Sequence, residues 1–384
     1  MSRMVFRLSH FFGDLFAHPF QRDSAIFSPR GQSRQGGERL RRARHHLVAR
    51  RGGSLAFRIN RGQHIGFGEC SIAADNFGGV IQHQLAGQTL AEIGYIANVG
   101  HRLNGPSTSV NQVRPELMGA GNAQARRPFP QFGNVVSQTP FWGNSSYHSL
   151  NLKLEKRFSK GLNFLTNYTF SKFIDDVPSG FENGNVPGGI QDFYNRQAER
   201  SLSGNDVRHR LVTSGVYELP MGQGRKYLTK GPANWIAGGW NLGVIMTLQA
   251  GSPNSAITQA NTTNAFNPGA QRANLVGNPN LPASERTPAR WFNTGAFAQP
   301  ALFTFGNVSR AAFTGPGVQN FDLSLLKNFP FQERLNLQFR FESFNILNKA
   351  NFDDPNTTLG SPGFGTLAAA RGARSIQFGL RLSF

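Results

Sequence analysis

The 384-residue chain lacks most of what holds ordinary domains together. Its single cysteine, Cys70, excludes an internal disulfide framework and any cysteine-based zinc site. Charged residues make up only 16% of the chain, below the roughly 25% of ordinary globular proteins. Acids are the scarcer sign, 21 against 40 bases, which leaves a formal +19. Long hydrophobic runs are missing too: stretches such as Gly243–Met246 fall far short of the roughly 18 residues of a membrane helix. A helical membrane protein is therefore excluded, but a β-barrel is not. What the chain does have is glycine, 44 residues, and phenylalanine, 34.

The positive charge is unevenly placed. Residues 1–70 carry 13 Arg, no Lys and four acids, a net of +9, whereas the other 314 residues carry a net of +10. The densest run is Arg39-Leu-Arg-Arg-Ala-Arg-His-His-Leu-Val-Ala-Arg-Arg51. Such a run could be a basic helix on nucleic acid or on an anionic membrane. Arginine without lysine, alternation or a helical stripe reads instead as a disordered segment or as GC-rich DNA translated out of frame. The expected division is thus 1–75, arginine-rich and disordered or mis-framed, and 76–384, the folded portion. Near the start, Gly13, Asp14 and His18 interrupt any apolar stretch, and no small-residue cleavage site follows, so no export signal is legible.

From residue 75 onward, strands with period-2 alternation recur to the end. Ile376, Phe378, Leu380, Leu382 and Phe384 alternate with Gln377, Gly379, Arg381 and Ser383, and Leu335, Leu337, Phe339 and Phe341 with Asn336, Gln338, Arg340 and Glu342. Leu150, Leu152 and Leu154 alternate with Asn151, Lys153 and Glu155, and Trp240 to Leu248 keeps one phase. Runs of about 9–12 residues exceed the usual 5–6 and match a tilted membrane-crossing strand. Nine strands are expected, near 77–84, 88–97, 146–158, 161–173, 207–219, 238–250, 319–329, 334–345 and 374–384.

Connection lengths separate a membrane barrel from a soluble sandwich, which also alternates. Ser159-Lys160 and Pro330–Glu333 are tight, 220–237 is moderate, and 174–206, 251–318 and 346–373 are long. Short turns at one end and long loops at the other are the asymmetry of outer-membrane barrels. Loops this long count against a compact soluble domain. Lys153, Asn336, Gln338, Arg340 and Glu342 are the lumen-facing candidates, since a wet lumen takes mid-strand polar residues while Leu and Phe face lipid. Trp142, Tyr147, Phe158, Phe173, Trp235, Phe329, Phe331 and Phe344, near strand ends, fit interfacial aromatic girdles.

Specific stretches carry a resemblance. They are Gly121-Asn-Ala-Gln-Ala-Arg-Arg-Pro-Phe-Pro-Gln-Phe-Gly133, Asn144-Ser-Ser-Tyr-His-Ser-Leu-Asn-Leu-Lys-Leu-Glu-Lys-Arg-Phe158, Leu165-Thr-Asn-Tyr-Thr-Phe-Ser-Lys172, Asp206-Val-Arg-His-Arg210, Tyr217-Glu-Leu-Pro220, Phe341-Glu-Ser-Phe-Asn-Ile-Leu-Asn348 and Asn351-Phe352. In this order, over about four-fifths of the chain, they resemble the β-barrel of Oar-like TonB-dependent outer-membrane transporters. The resemblance implies an all-β antiparallel membrane barrel in the outer membrane of a Gram-negative bacterium. It further implies energised uptake of a large or scarce ligand, with TonB acting through a plug. A terminal Phe384 resembles the signal read by the barrel-assembly machinery. Nine strands are fewer than the roughly 22 of this class and odd in number, which implies the C-terminal portion of a transporter. The expected partners are outer-membrane lipid, the assembly machinery, TonB through the plug, and an unidentified ligand, with no nucleic acid.

Catalytic chemistry is not legible. Asp175-Asp176 and Asp353-Asp354 could bind calcium or work as acid and base, but both fall in expected loops and read as solvated charge. His209, between Arg208 and Arg210, reads as a structural residue of the barrel rim, and His45-His46 has no carboxylate neighbours. No phosphate loop, nucleophile elbow or zinc-protease motif occurs. Neither an enzyme nor a cofactor is expected, and no metal site. The alternative from another class is a surface or adhesion barrel that displays loops without transport.

Overall fold

In a computed structural model of the chain, the described residues are 46–47, 53–60, 65–67, 70–137, 140–177, 184–222, 224–267, 269–332 and 335–383. Most of the arginine run 39–51, and Phe384 with its expected assembly signal, lie outside them. Ten long strands dominate: β1 (Gly53–Asn60), β2 (Cys70–Leu85), β3 (Thr89–Asn104), β4 (Phe141–Ser159), β5 (Leu162–Asp175), β6 (His209–Glu218), β7 (Trp240–Gln249), β8 (Val318–Gln332), β9 (Leu335–Phe344) and β10 (Ser375–Ser383). Each pairs antiparallel with the next, so the sheet is a pure up-and-down meander from β1 to β10. His46–Leu47, Ile65–Phe67 and Ser201–Leu202 pair with β1, β2 and β5 and bring the sheet to 13 strands.

All nine expected strands are present, as β2 to β10. The largest differences are in β2, β3 and β4, which run to 16, 16 and 19 residues. A tilted strand crosses the hydrocarbon with about 9–11 residues, so these strands project beyond it. The added parts, such as Gly100-His-Arg-Leu-Asn104, carry a single large apolar side chain. The apolar alternation lapses there, and period-2 reading stops short. Upstream, β1 pairs along β2, so backbone pairing reaches into the arginine-rich segment.

The connections alternate as expected. At one end lie 86–88, Lys160-Gly161, 219–239 and the short connection from β8 to β9; at the other lie 105–140, 176–208, 250–317 and 345–374. Lys160 and Gly161 have φ of 53° and 80°, the doubly positive geometry of a two-residue type I′ hairpin. The moderate connection 219–239 holds the one α-helix among the described residues, α1 (Gly231–Ala237). No described helix is long and apolar enough to cross a membrane.

Register assigns the two faces. Cross-strand partners share a face, and one continuous set reads Ile81, Ile93, Leu152 and Tyr168 at the β2 side and Leu325, Phe341 and Phe378 at the β10 side. Ile81, Ile93, Leu152, Phe378, Leu380 and Leu382 are all exposed on it. A soluble sandwich would cover that face with a second sheet, but the other sheets among the described residues are two-residue pairs within the loops. The deeply buried apolar core sits in the long loops instead. Phe292, Phe297, Phe313, Val308, Ala256, Ala273 and Ala296 pack together there, with Trp291 and Phe364 against them.

Candidate functional site

The five lumen-facing candidates share the other, polar face of the sheet. Lys153 pairs across β4 and β5 with Asn167, and across β3 with Glu92. Asn336, Gln338, Arg340 and Glu342 pair with Ser383, Arg381, Gly379 and Gln377. Polar contacts knit this face: Lys153 Nζ lies 2.8 Å from Glu155, Gln338 donates to Asn328 at 3.1 Å, and Gln377 donates to Glu342 at 2.6 Å. The buried Nε of Arg340 has no hydrogen-bond partner. Two groups of this face therefore lie well apart along the sheet, Lys153 on β4 and the other four on β9.

Above the wall, the long loops form a cap tied by buried polar groups. Arg272 Nη1 donates to Glu199 Oε2 at 3.1 Å, with 2% and 1% of the two side chains exposed. Burial pushes the Arg272 guanidinium down, and Glu199 opposes that shift. Arg310, fully buried, donates to the Glu199 carbonyl at 3.1 Å and ion-pairs with Asp175 at the end of β5. Gln191 receives the Arg272 backbone N–H at 2.6 Å and donates to the Gly306 carbonyl at 3.0 Å. Gln112 donates to Asp192 at 3.0 Å and accepts from the Phe193 N–H at 3.1 Å, which brings in loop 105–140. Asp354 accepts from Ser252 and Asn254 at 2.8–2.9 Å, which brings in loop 345–374. Buried charges need a partner of opposite sign or hydrogen bonds: Arg272 and Arg310 are paired with Glu199 and Asp175, while Asp192 and Asp354 are held by hydrogen bonds from neutral groups.

The cap corrects the reading of two carboxylate pairs as solvated loop charge. Asp175 is buried in the Arg310 pair, and Asp176 accepts from the Asn144 backbone and side chain at 2.5 and 3.0 Å. Asp354 is an interloop anchor, and burial pushes its carboxyl up; only Asp353, 3.6 Å from Arg371, is an exposed pair. His209 opens β6, bonds to the Tyr168 hydroxyl at 2.9 Å and stacks near Tyr168 and Phe170, a structural contact at the rim. Among the described residues no three His, Cys, Asp or Glu side chains gather as metal ligands.

One residue contradicts its face. Lys327, in β8, pairs with Trp240 and Phe339 on the apolar side of the sheet, yet only 1% of it is exposed. Its three N–H donors go to the carbonyls of Trp235, Ile236 and Gly238, at 2.7, 2.5 and 2.9 Å. These lie at the C-terminal end of α1, where carbonyls lack helical partners and the dipole is negative. The ammonium also sits 4.7 Å from the Phe329 ring and 5.3 Å from that of Trp240. Sequence reading missed Lys327, Arg272, Arg310 and Glu199. Only the break in apolar phase between Leu325 and Phe329 marks Lys327; nothing local marks the other three.

A long-stranded antiparallel meander, bare and apolar on one face and polar on the other, with turns at one end and loops at the other, is the wall of a membrane β-barrel. The family model of the outer membrane beta barrel domain matches residues 73–377, and the chain belongs to that family. It is a protein of the Gram-negative outer membrane. No curated protein matches the sequence. Among solved structures, it is similar to the ferric-catecholate import receptor Fiu of Escherichia coli in its closed form, with 9% identity and a TM-score of 0.41, covering 87% of this chain and 33% of that one. The outer-membrane transporter YddB of Escherichia coli gives 10% identity and a TM-score of 0.40 over 82% and 32% of the two chains. The FrpB iron transporter of Neisseria meningitidis gives 12% identity and a TM-score of 0.40 over 86% and 36%. The chain thus spans about a third of the length of each.

Proposed function

We propose that residues 76–384 are wall and external cap of a TonB-dependent transporter, with β1 and the first residues of β2 extending the wall upstream of that boundary. The start of the family match at residue 73 supports the boundary. The observation that carries the transport reading is the polar face itself: Lys153, Asn336, Gln338, Arg340 and Glu342 fall on one side of a continuous meander, under a cap built from all the long loops. In this reading that side lines a lumen, the cap meets the ligand outside, and a plug driven by TonB admits it. The two edges of the described sheet, at His46–Leu47 and β10, do not pair with each other. Unsatisfied backbone in lipid costs several kcal/mol per group, so closure requires further strands, and we infer that they come from the rest of a longer transporter. The last strand, with its apolar phase facing lipid, is the segment the barrel-assembly machinery would read.

Uptake is the test. Cells with and without an energised TonB system, each with and without this protein, are fed siderophores, saccharides or peptides. Uptake that needs both components supports transport. A second reading, display of a surface without transport, is favoured by exposed Phe129, Phe132, Val135 and Val136 on the cap. It predicts cell-surface binding that does not depend on TonB, with no uptake.

A further inference from the structure

The short-turn end carries a feature that barrel closure and transport leave unused. Between β6 and β7 the connection 219–239 contains Arg225, Lys226 and Lys230 and no acid. Arg225 is held by Glu218 at 2.6 Å, whereas Lys226 and Lys230 are exposed. Beside them four large apolar side chains stand in the open: Tyr227, Leu228, Trp235 (58% exposed) and Ile236 (66% exposed).

This patch is held in place and continuous with the lipid-facing side of the wall. Lys327 pins the C-terminal end of α1 through three carbonyls, and the Trp240 indole donates to the Ile236 carbonyl at 3.0 Å. The Trp235 ring lies 5.2 Å from Phe329, whose register partner Leu337 belongs to the apolar face. The turn before α1 is closed by backbone bonds from Gly222 to Tyr227 and from Tyr227 to Pro220, at 2.9 and 3.0 Å. An apolar belt therefore ends in a fixed projection that adds aromatic and aliphatic side chains and two exposed cations with no ion-pair partner among the described residues, Lys226 lying 5.1 Å from the Tyr227 ring. Aromatic residues favour the membrane–water interface, and basic residues near it attract anionic head groups.

We propose that residues 225–236 form a foot that inserts its apolar side chains into the leaflet at the short-turn end and binds anionic phospholipid head groups through Lys226 and Lys230. Lys327 is the clamp of the foot, not a lipid ligand, because its three donors are already used. The inference rests on membership in the barrel family and not on transport, so a negative uptake result leaves it standing.

The test uses the full chain reconstituted in phosphatidylcholine vesicles, with Cys70→Ser and a bimane fluorophore on Ile236→Cys. Brominated phosphatidylcholine or brominated phosphatidylglycerol is added at equal mole fraction. The expected result is quenching by both, stronger by at least about twofold with phosphatidylglycerol, and a difference abolished by Lys226→Gln with Lys230→Gln. If the label impedes insertion, the difference in tryptophan quenching between the unmodified chain and Trp235→Phe gives the same readout. No quenching by either lipid would place the foot in water and overturn the proposal. Equal quenching by both lipids would overturn the head-group assignment.

Discussion

Arg272 and Glu199 meet at 3.1 Å across 73 residues of sequence, both almost wholly withdrawn from water. One belongs to loop 250–317 and the other to loop 176–208, so the pair joins two excursions that a linear reading leaves independent. With Arg310 and Asp175 anchoring the same region to the end of β5, the cap is continuous with the wall.

Breaking that pair from one side is expected to loosen the cap and spare the sheet. Glu199→Leu leaves a buried guanidinium uncompensated and should cost about 3–5 kcal/mol. Pairing it with Arg272→Met should recover most of the loss, because an apolar replacement of both partners removes the desolvated charge as well. Hydrogen exchange read separately over the loops 176–208 and 250–317 and over the strands β6–β9 checks both statements; equal deprotection of strands and loops in the single variant would contradict them.

The cap should also respond to pH. Burial pushes the carboxyls of Asp192, Asp206 and Asp354 up. A carboxyl raised on folding binds its proton more readily in the native state. Its stabilising contribution is complete below the ordinary carboxylate pKa and is lost as pH rises through the raised one. Between those limits cap protection should fall with rising pH, and Asp354→Asn, which keeps the shape and stays neutral, should flatten the slope. Hydrogen exchange of residues 250–258 and 351–359 in both proteins across that range provides the comparison.

Strand phase has a direct chemical check. Phe339→Cys and Arg340→Cys differ by one position and sit on opposite faces of β9. In a reconstituted barrel a lipid-soluble thiol reagent should label position 339 several-fold faster, and a charged aqueous reagent should prefer 340. Equal labelling from lipid at both would remove the lumen assignment of Asn336, Gln338, Arg340 and Glu342.

Lys327→Met should free α1 from the wall. It keeps an unbranched side chain, one atom shorter, but leaves three carbonyls without their charged donor, at a cost of about 2–3 kcal/mol. Limited proteolysis should then cut within 219–239 under conditions that leave the native connection intact. Unchanged proteolysis would mean that packing of Trp235 on Phe329 suffices.

What was legible in the sequence divides along a physical line. The strands β2 to β10 and both faces of the wall follow from side chains two residues apart, a purely local signal that lipid on one side and polar surroundings on the other make unusually clean. The alternation of turns and loops was equally legible, although the tight turn expected at Ser159-Lys160 falls one residue later, at Lys160-Gly161, where glycine takes the second positive φ. Strand ends were read short at the end of β3 and the start of β4, because the apolar alternation lapses in residues 100–104 and 141–145.

The sequence by itself determined a membrane β-barrel wall, its phase and the end that bears the loops, because each is written in neighbours along a strand. Only the tertiary structure decided which charges are dry. Asp175 reads as loop charge until Arg310, 135 residues away, closes on it. Lys327 reads as a misplaced cation until the carbonyls of residues 235–238, about 90 positions earlier, converge on it. Burial of a charge depends on partners that no local pattern specifies, so the cap and the foot became visible only when the chain was folded.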